Sequence, residues 1–307
     1  MEKVLITGHK NPDTDSICSS IVMEKIAKFF GVNAEAVRLG ELNKETEYVF
    51  KYINKQPQRM ITKVDDGQKL ILVDHNELTQ SVDNRDNAEI LAVIDHHRIS
   101  DFKTATPLYY YAKPVGCTAT ILYEIMTDKN IEISKEDAIL LISAISSDTL
   151  LLKSPTCTDE DVKAFNALEK IAGIDAKKYA LDMLKAGTDI SDYSADKIVE
   201  MDAKLLEEGR KRIVINQVNT AEINDVFSRK EEIEKAMNDE IANKKLDLFI
   251  FVITDIINTN SKLIVLGPAK ELAEKAFNKK LDKDDSMLLE GVVSRKKQIV
   301  PPIVKSL

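Results

Sequence analysis

The sequence has no tryptophan, three cysteines and only four histidines in 307 residues. Cys18, Cys117 and Cys157 are odd in number, widely spaced and without a CxxC pair. They argue against a disulfide framework and a zinc ribbon, and fit a reducing cytosol. No apolar run approaches the roughly 18–20 residues needed to span a bilayer; the longest, such as LFIFVI, read as buried strands. A strand pattern beginning almost at Met1 leaves no room for a signal peptide, so the expected location is cytoplasmic, with no membrane partner. Neither GxxxxGK[ST] nor GxGxxG occurs, and nothing points to an NTPase or a dinucleotide fold. Low-complexity tracts and repeats of solenoid period are also missing.

What is present is ordinary globular material, 44% hydrophobic and 31% charged, with a length that suggests two domains. The net charge is −8, and Lys and Arg are dispersed among acidic residues. That weakens any reading as a duplex-binding protein, and no nucleic-acid partner is expected. A small anionic substrate is still compatible, because bound metal ions reverse the sign of a local site.

Strand and helix patterns alternate in the first part. KVLITG (3–8) reads as a buried parallel strand, followed by the polar HKNPDTD and an amphipathic helix with Cys18, Val22, Ile26 and Phe29 along one stripe. A strand near 34–37 and a helix over 45–54 follow. KLILVD (69–74) and ILAVID (90–95) are further apolar runs, each ending in Asp. A helix is expected over 118–126, and Ser134 is placed to cap another running towards Ser147, with Glu136 and Asp137 in its first turn. Such alternation predicts an α/β fold with a parallel sheet covered on both faces, its ligand site beyond the carboxyl ends of the strands. Composition shifts at KAGTDISDYS (185–194). Beyond it RIVINQV, LDLFIFVITDII and KLIVLG read as strands, and GVV before Ser294 as a closing strand. Helices over 222–243 and 269–277 complete a smaller mixed-sheet α/β domain.

All four histidines, His9, His75, His96 and His97, fall at or near strand ends of the first domain, each beside aspartate. Asp13 and Asp15 follow His9, Asp74 precedes His75, Asp95 precedes His96–His97, and Asp148 adds a further carboxylate. Singly, each has an ordinary explanation: NPDTD as a turn with a helix cap, a strand-end Asp as turn chemistry. Jointly, a rim of His and Asp without Cys suits a divalent metal of intermediate hardness. There are too many candidate ligands for one ion. Two ions about 3.5–4 Å apart, bridged by a carboxylate and a water, form the usual clamp for phosphoryl chemistry. Extended geometry would send the adjacent His96 and His97 rings in opposite directions, one to metal and one to substrate. Backbone N–H groups of GCTAT (116–120) offer a possible anion seat at a helix start, though capping explains them equally. In the second domain Arg295-Lys296-Lys297 and Lys204 form a cationic counterpart suited to phosphate oxygens.

GHKNPDTDS (8–16), LVDHNE (72–77), VIDHHR (93–98), PVGCTATIL (114–122), SDTLLLKSPTCT (147–158) and SRKKQ (294–298) together resemble the family II, manganese-type inorganic pyrophosphatases of the DHH phosphoesterase superfamily. The resemblance covers essentially the whole chain. It implies a metal-binding DHH domain over residues 1–186, a linker or hinge over 187–194, and a substrate-binding domain over 195–307. It implies that His9, Asp13 and Asp74 hold one metal, and that Asp15, Asp74, His96 and Asp148 hold the other. His97 would face the substrate as a catalytic acid, Lys204, Arg295 and Lys296 would grip the phosphates, and His75 and Asp95 would orient ligands. The implied cofactors are two Mn²⁺ per subunit, with Co²⁺ as a substitute and Mg²⁺ arriving with the substrate. The implied activity is hydrolysis of pyrophosphate, clamped between two domains, by a bridging hydroxide, in a homodimer. The alternatives are a DHH-type exopolyphosphatase or oligonucleotide phosphodiesterase, and a non-catalytic metal-responsive binding protein. The scarcity of aromatic residues counts against stacking on bases.

Overall fold

Strands buried on both faces read as unbroken apolar runs, and those at the head of the chain build one parallel sheet in the computed structural model. The structure describes residues 3–208 and 211–307. The chain falls into two units, Met1–Gly187 and Thr188–Leu307. The first contains β1 (Val4–Thr7), α1 (Thr14–Phe29), β2 (Ala34–Val37), α2 (Lys44–Ile53), β3 (Lys69–Val73), β4 (Glu89–Asp95), β5 (Tyr109–Ala112) and α3 (Thr118–Asp128). It ends with α4 (Lys135–Asp148), α5 (Asp159–Ala172) and α6 (Ala176–Gly187).

The strand order is β2-β1-β3-β4-β5, all parallel. The winding direction reverses between β1 and β3, which opens a crevice at their carboxyl ends. Side chains alternate across the sheet. Leu70 and Leu72 of β3 join Leu5, Val37 and Val93 in a core closed by Val64, Val82, Phe102 and Leu108. That face is therefore covered by connecting segments, and the opposite face carries α1 and α3, so both faces are covered as expected.

The expected stripe of α1 holds for Cys18, Val22 and Ile26, which are buried, but Phe29 is 56% exposed. The helix ends there, and Phe29 instead packs edge-on against Phe30. Helix α4 is buried throughout from Asp137 to Ser146, as a helix apolar on all sides must be. Its start is fixed by a reciprocal box: Ser134 Oγ accepts from Asp137 N, and Asp137 accepts from Ser134 N.

The second unit has α7 (Ala195–Glu200), β6 (Lys204–Glu208), β7 (Lys211–Thr220), α8 (Ile223–Phe227), α9 (Lys230–Lys244), β8 (Leu248–Asp255), β9 (Asn260–Leu266), α10 (Glu271–Phe277), β10 (Ser286–Glu290) and α11 (Val300–Ser306). Its mixed sheet runs β10-β9-β8-β7-β6, with only β7 and β8 parallel. The fully buried β8 lies at its centre. Ile190 and Tyr193 already pack into this unit's core.

Two expectations fail here. The helix over 222–243 is two helices, because the chain turns where Arg229 donates to the carbonyls of Ile190 and Tyr193 at 2.9 and 2.8 Å. The GVV segment is not a strand. Gly291 leaves β10 with φ 70°, and the N–H groups of Val293 and Ser294 donate to Gln298 Oε1 instead of to a neighbouring strand; the sheet is closed by β10.

Ser134→Ala removes one half of the box that starts α4. It is expected to cost about 1 kcal/mol of unfolding free energy, measured by urea titration; an unchanged midpoint would contradict the role given to the cap.

Candidate metal centre

The polar segments that follow β1, β3, β4 and β5 converge on one cluster. After β1 the chain passes so close to α1 that a Cβ on Gly8 would lie 2.6 Å from Ser16 Cβ and 2.8 Å from the Ser16 carbonyl oxygen. Glycine is needed for this approach. His9 N then donates to Ser16 Oγ, which itself donates to Asp74 Oδ2 at 2.8 Å. His9 Nδ1 is 2.7 Å from the Lys10 carbonyl, so that nitrogen carries the proton and Nε2 faces inward. It lies 3.4 Å from both Asp13 Oδ2 and Asp74 Oδ2. Asp13 spends its other oxygen capping α1, accepting from Ser16 N. Asp15 follows in the first turn of α1, fully buried, and accepts from Ser19 Oγ at 2.5 Å and Thr118 N at 2.7 Å.

Asp74 leaves β3 with φ 60°, a left-handed conformation that Asp tolerates better than most residues but that still stores strain. His75 is buried and turned away: Nδ1 donates to the Val73 carbonyl, and Nε2 accepts from Ser81 Oγ. Burial, only partly offset by the Val73 carbonyl, pushes its pKa down to about 4. It is a neutral structural group with both nitrogens occupied.

At the end of β4, His96 Nδ1 meets the Val115 carbonyl at 3.1 Å. Its Nε2 points at Asp74 Oδ1 (3.4 Å) and at Asp148 Oδ2 (3.6 Å), the latter from the last residue of α4. His97 is half exposed, and its N–H and Nδ1 both lie 3.0 Å from Asp95 Oδ1. The two rings do not point to opposite sides. Their centroids are 4.2 Å apart at 59°, because the chain leaves extended geometry once β4 ends at Asp95.

Among the described residues three groups of donor atoms result, each with all atoms within 4.8 Å of one another: His9, Asp13 and Asp74; Asp15, Asp74, His96 and Asp148; and Asp74, His96 and His97. Asp74 is common to all three. Donors each about 2.0–2.2 Å from one ion lie roughly 3–3.5 Å apart, close to the spacings found here. Among the described residues nothing hydrogen-bonds to the buried His96 Nε2, a rare state for an imidazole nitrogen that has no other task.

Electrostatics point the same way. Burial first, then the charge of Asp15, raises the Asp74 carboxyl to about 7 although His96 pulls it down. Asp148 is raised by burial and by Asp15 and Asp74. Burial opposes a charge on His9 and His96, yet Asp13 beside the one and Asp74 beside the other lift both to about 9. So many carboxylates in one buried place demand positive charge, which protons or metal ions can supply. Cys18 and Cys117 lie close by but are fully buried, their thiols pushed up by burial and by Asp15; they are inert neutral groups. The donors that fit a divalent ion are therefore nitrogen and oxygen alone.

Sequence reading missed the groups that aim these donors. Thr118 N donates to Asp15, and its hydroxyl reaches Asp74 Oδ1 at 3.3 Å. Two N–H groups of GCTAT, those of Gly116 and Thr118, thus serve carboxylates of the protein rather than an external anion. Asp161, fully buried, anchors that segment by accepting from Gly116 N, Thr120 Oγ1, and the N and Oγ1 of Thr158. Its capping box with Thr158 was legible; its second task was not. After Asp148, Leu150, Leu151 and Leu152 all have positive φ, held by Leu152 N donating to Thr149 Oγ1 and by Lys153 N and Ser154 N donating to the Thr149 carbonyl.

In the second unit, Lys204 opens β6 and is exposed. Arg295 begins a helical turn leading into α11 and donates to Asp202 Oδ1 at 2.9 Å and to the Asp202 carbonyl. This ties it to a residue two before Lys204. Gln217 steadies the loop, accepting from Arg295 N and donating to the Val293 carbonyl. Lys296 and Lys297 project from it, exposed.

A parallel unit with a shared-aspartate donor rim, followed by a mixed-sheet unit, defines a two-domain protein of the DHH class. Residues 3–145 match the DHH family N-terminal domain, and residues 181–306 match the DHHA2 domain. The chain is 49% identical over 308 residues to the manganese-dependent inorganic pyrophosphatase of Bacillus subtilis, covering 100% of this chain and 99% of that one. It is 52% identical to a relative of the same family from Bacillus licheniformis, with the same coverage. A crystal structure from Methanococcus jannaschii, assigned to the family II inorganic pyrophosphatases, is 40% identical with a TM-score of 0.63, and 99% of each chain is covered. The chain belongs to the family of manganese-dependent, family II inorganic pyrophosphatases. An exopolyphosphatase-related protein from Bacteroides fragilis, 16% identical with a TM-score of 0.51 over 99% of this chain and 91% of the other, shares the fold alone.

Proposed function

We propose that this protein hydrolyses inorganic pyrophosphate to two phosphates at a centre of two Mn²⁺ ions per subunit. The observation that carries the reading is Asp74, one buried carboxylate common to adjacent donor groups. In this reading His9, Asp13 and Asp74 hold one ion, and Asp15, Asp74, His96 and Asp148 hold the other; Co²⁺ can substitute, and Mg²⁺ arrives with the substrate. When bound, such a pair of ions neutralises phosphate oxygens and acidifies a water molecule. The Asp95 carboxylate accepts Nδ1–H and favours the doubly protonated ring of His97, so that Nε2–H would meet the leaving phosphate as an acid. His75 and Asp95 hold neighbouring side chains in place. Arg295 supplies a planar fork for phosphate oxygens, and Lys204 and Lys296 supply point charges.

The decisive experiment strips the protein with a chelator and then adds Mn²⁺, Co²⁺, Zn²⁺ and Mg²⁺ separately, following phosphate release from pyrophosphate, short polyphosphate and a dinucleotide side by side. Mn²⁺ is expected to restore turnover of pyrophosphate above all. Asp74→Asn should lower that turnover by more than about 100-fold, with less bound metal; full activity in this variant would sink the proposal. Arg295→Gln is expected to keep its manganese and lose about 10–100-fold in kcat/KM, the worth of a charge-assisted hydrogen bond to phosphate.

We also propose a homodimer formed through the first unit, within the cytoplasm. Strand β5 is the edge of its sheet, carries neither Pro nor Lys, and exposes Tyr109 by 59%; unprotected edges of this kind invite a second strand. Beside it is an apolar hollow of about 620 Å³ lined by Met23, Ile26, Phe30, Tyr109, Tyr111 and Ile125 among others. Sedimentation at micromolar concentration should give a dimer that Tyr109→Lys converts to monomer. A wild-type monomer would overturn the assignment.

A further inference from the structure

Asn76 follows the Asp74–His75 pair and is 1% exposed. It belongs to none of the donor groups, yet every polar atom of its side chain is occupied. Its Nδ2 donates to Asp95 Oδ2 at 2.6 Å and to the Arg98 carbonyl at 2.9 Å, while Oδ1 accepts from Ser100 N at 2.8 Å. Two acceptors on one end and a donor on the other fix the orientation of the amide. Its own carbonyl accepts from Arg85 Nη1 at 2.7 Å, and that guanidinium is buried beside the Phe102 ring.

These contacts converge on one side chain. Asp95 Oδ1 accepts both the N–H and the Nδ1–H of His97, and Asp95 is fully buried. A carboxylate held by one oxygen alone can rotate about its terminal torsion, which is broad; Asn76 pins the other oxygen. The same amide also holds the chain on the far side of His97, at Arg98 and Ser100. We propose that Asn76 is a positioning residue for His97, acting through Asp95 and through the 98–100 loop. No other residue of similar size supplies two donors and one acceptor in one plane: Asp would set a second carboxylate against Asp95, and Ser has a single donor. The inference rests on the role given to His97 in pyrophosphate hydrolysis.

The test is a double-mutant cycle on the manganese-loaded enzyme, with Asn76→Ala, His97→Gln and the pair. Asn76→Ala is expected to lower kcat about 10–100-fold, with KM and bound manganese within about twofold of wild type. On the His97→Gln background the same change should alter kcat by less than about twofold. If its full factor recurs on that background, if manganese is lost, or if His97→Gln is itself as fast as wild type, the proposal is overturned. Asn76→Asp, equal in shape, carries the same cycle should the alanine variant fold poorly. A readout independent of turnover is the His97 Nδ1–H proton resonance of the Mg²⁺-loaded protein, assigned by its loss in His97→Gln. It should broaden into exchange in Asn76→Ala, and a signal unchanged from wild type refutes the positioning. A protein that passes this proton test while leaving pyrophosphate intact would refute the hydrolase reading and keep the positioning.

Discussion

The constraint on which the first unit depends is the burial of the Asp74 carboxylate beside Asp15 and Asp148. An isolated buried charge costs several kcal/mol even after relaxation, and like charges nearby add to it. No hydrophobic packing offsets that. What does is a set of donors aimed at its two oxygens: Ser16 and His9 on one, Thr118 and His96 on the other. The residue accepts a left-handed backbone to reach this place. Such an arrangement makes poor sense as a device for stability and good sense as a seat for cations.

The sheet explains why so many acidic groups can meet at all. The strand order reverses between β1 and β3, so the segments after those strands diverge to opposite sides and leave a crevice. Helix α1 begins there, with Asp13 as cap and Asp15 in its first turn, and α3 begins with the N–H of Thr118 turned to Asp15. Two helix amino ends thus face the carboxylates, where the peptide dipoles favour negative charge. Asp148 is the exception. It sits at the carboxyl end of α4, where the dipole disfavours a carboxylate, and burial together with Asp15 and Asp74 also opposes its charge. Its position is explained by what it faces rather than by its helix.

Much of this was legible because the chemistry is concentrated. Four histidines, each near aspartate at the end of an apolar run, signal a common rim before any fold is known, and the strands β1, β3 and β4 follow from unbroken apolar runs. What escaped were residues with ordinary local excuses. Ser16, Thr118 and Asp161 look like helix-cap residues, and they are also the groups that orient the acidic cluster. Strand β5, YYYA, is too short and too exposed to stand out from a loop. The segment GVV has a strand's composition, but Gly291 turns the chain and Gln298 takes up the N–H groups that a ladder would need. For Ser16, Thr118 and Asp161 the deciding partner is far away in sequence, and local pattern carries no trace of it.

The histidines show how one residue type is divided among three environments by what meets its two ring nitrogens. In His9 and His96 a backbone carbonyl accepts Nδ1–H, and Nε2 is left facing carboxylates, ready to donate its lone pair to a cation that replaces the proton there. In His75 the second nitrogen is also engaged, by Ser81, and burial keeps the ring neutral. In His97 the acceptor is the carboxylate of Asp95, which raises the basicity of the ring, with Asp74 adding to the effect and burial opposing it. A carbonyl partner on Nδ1 with Nε2 left open therefore suits a ligand, and a carboxylate partner suits a group that must hold a proton and release it. That distinction separates the adjacent His96 and His97, whose rings lie almost in contact, more cleanly than the direction in which each side chain leaves the backbone.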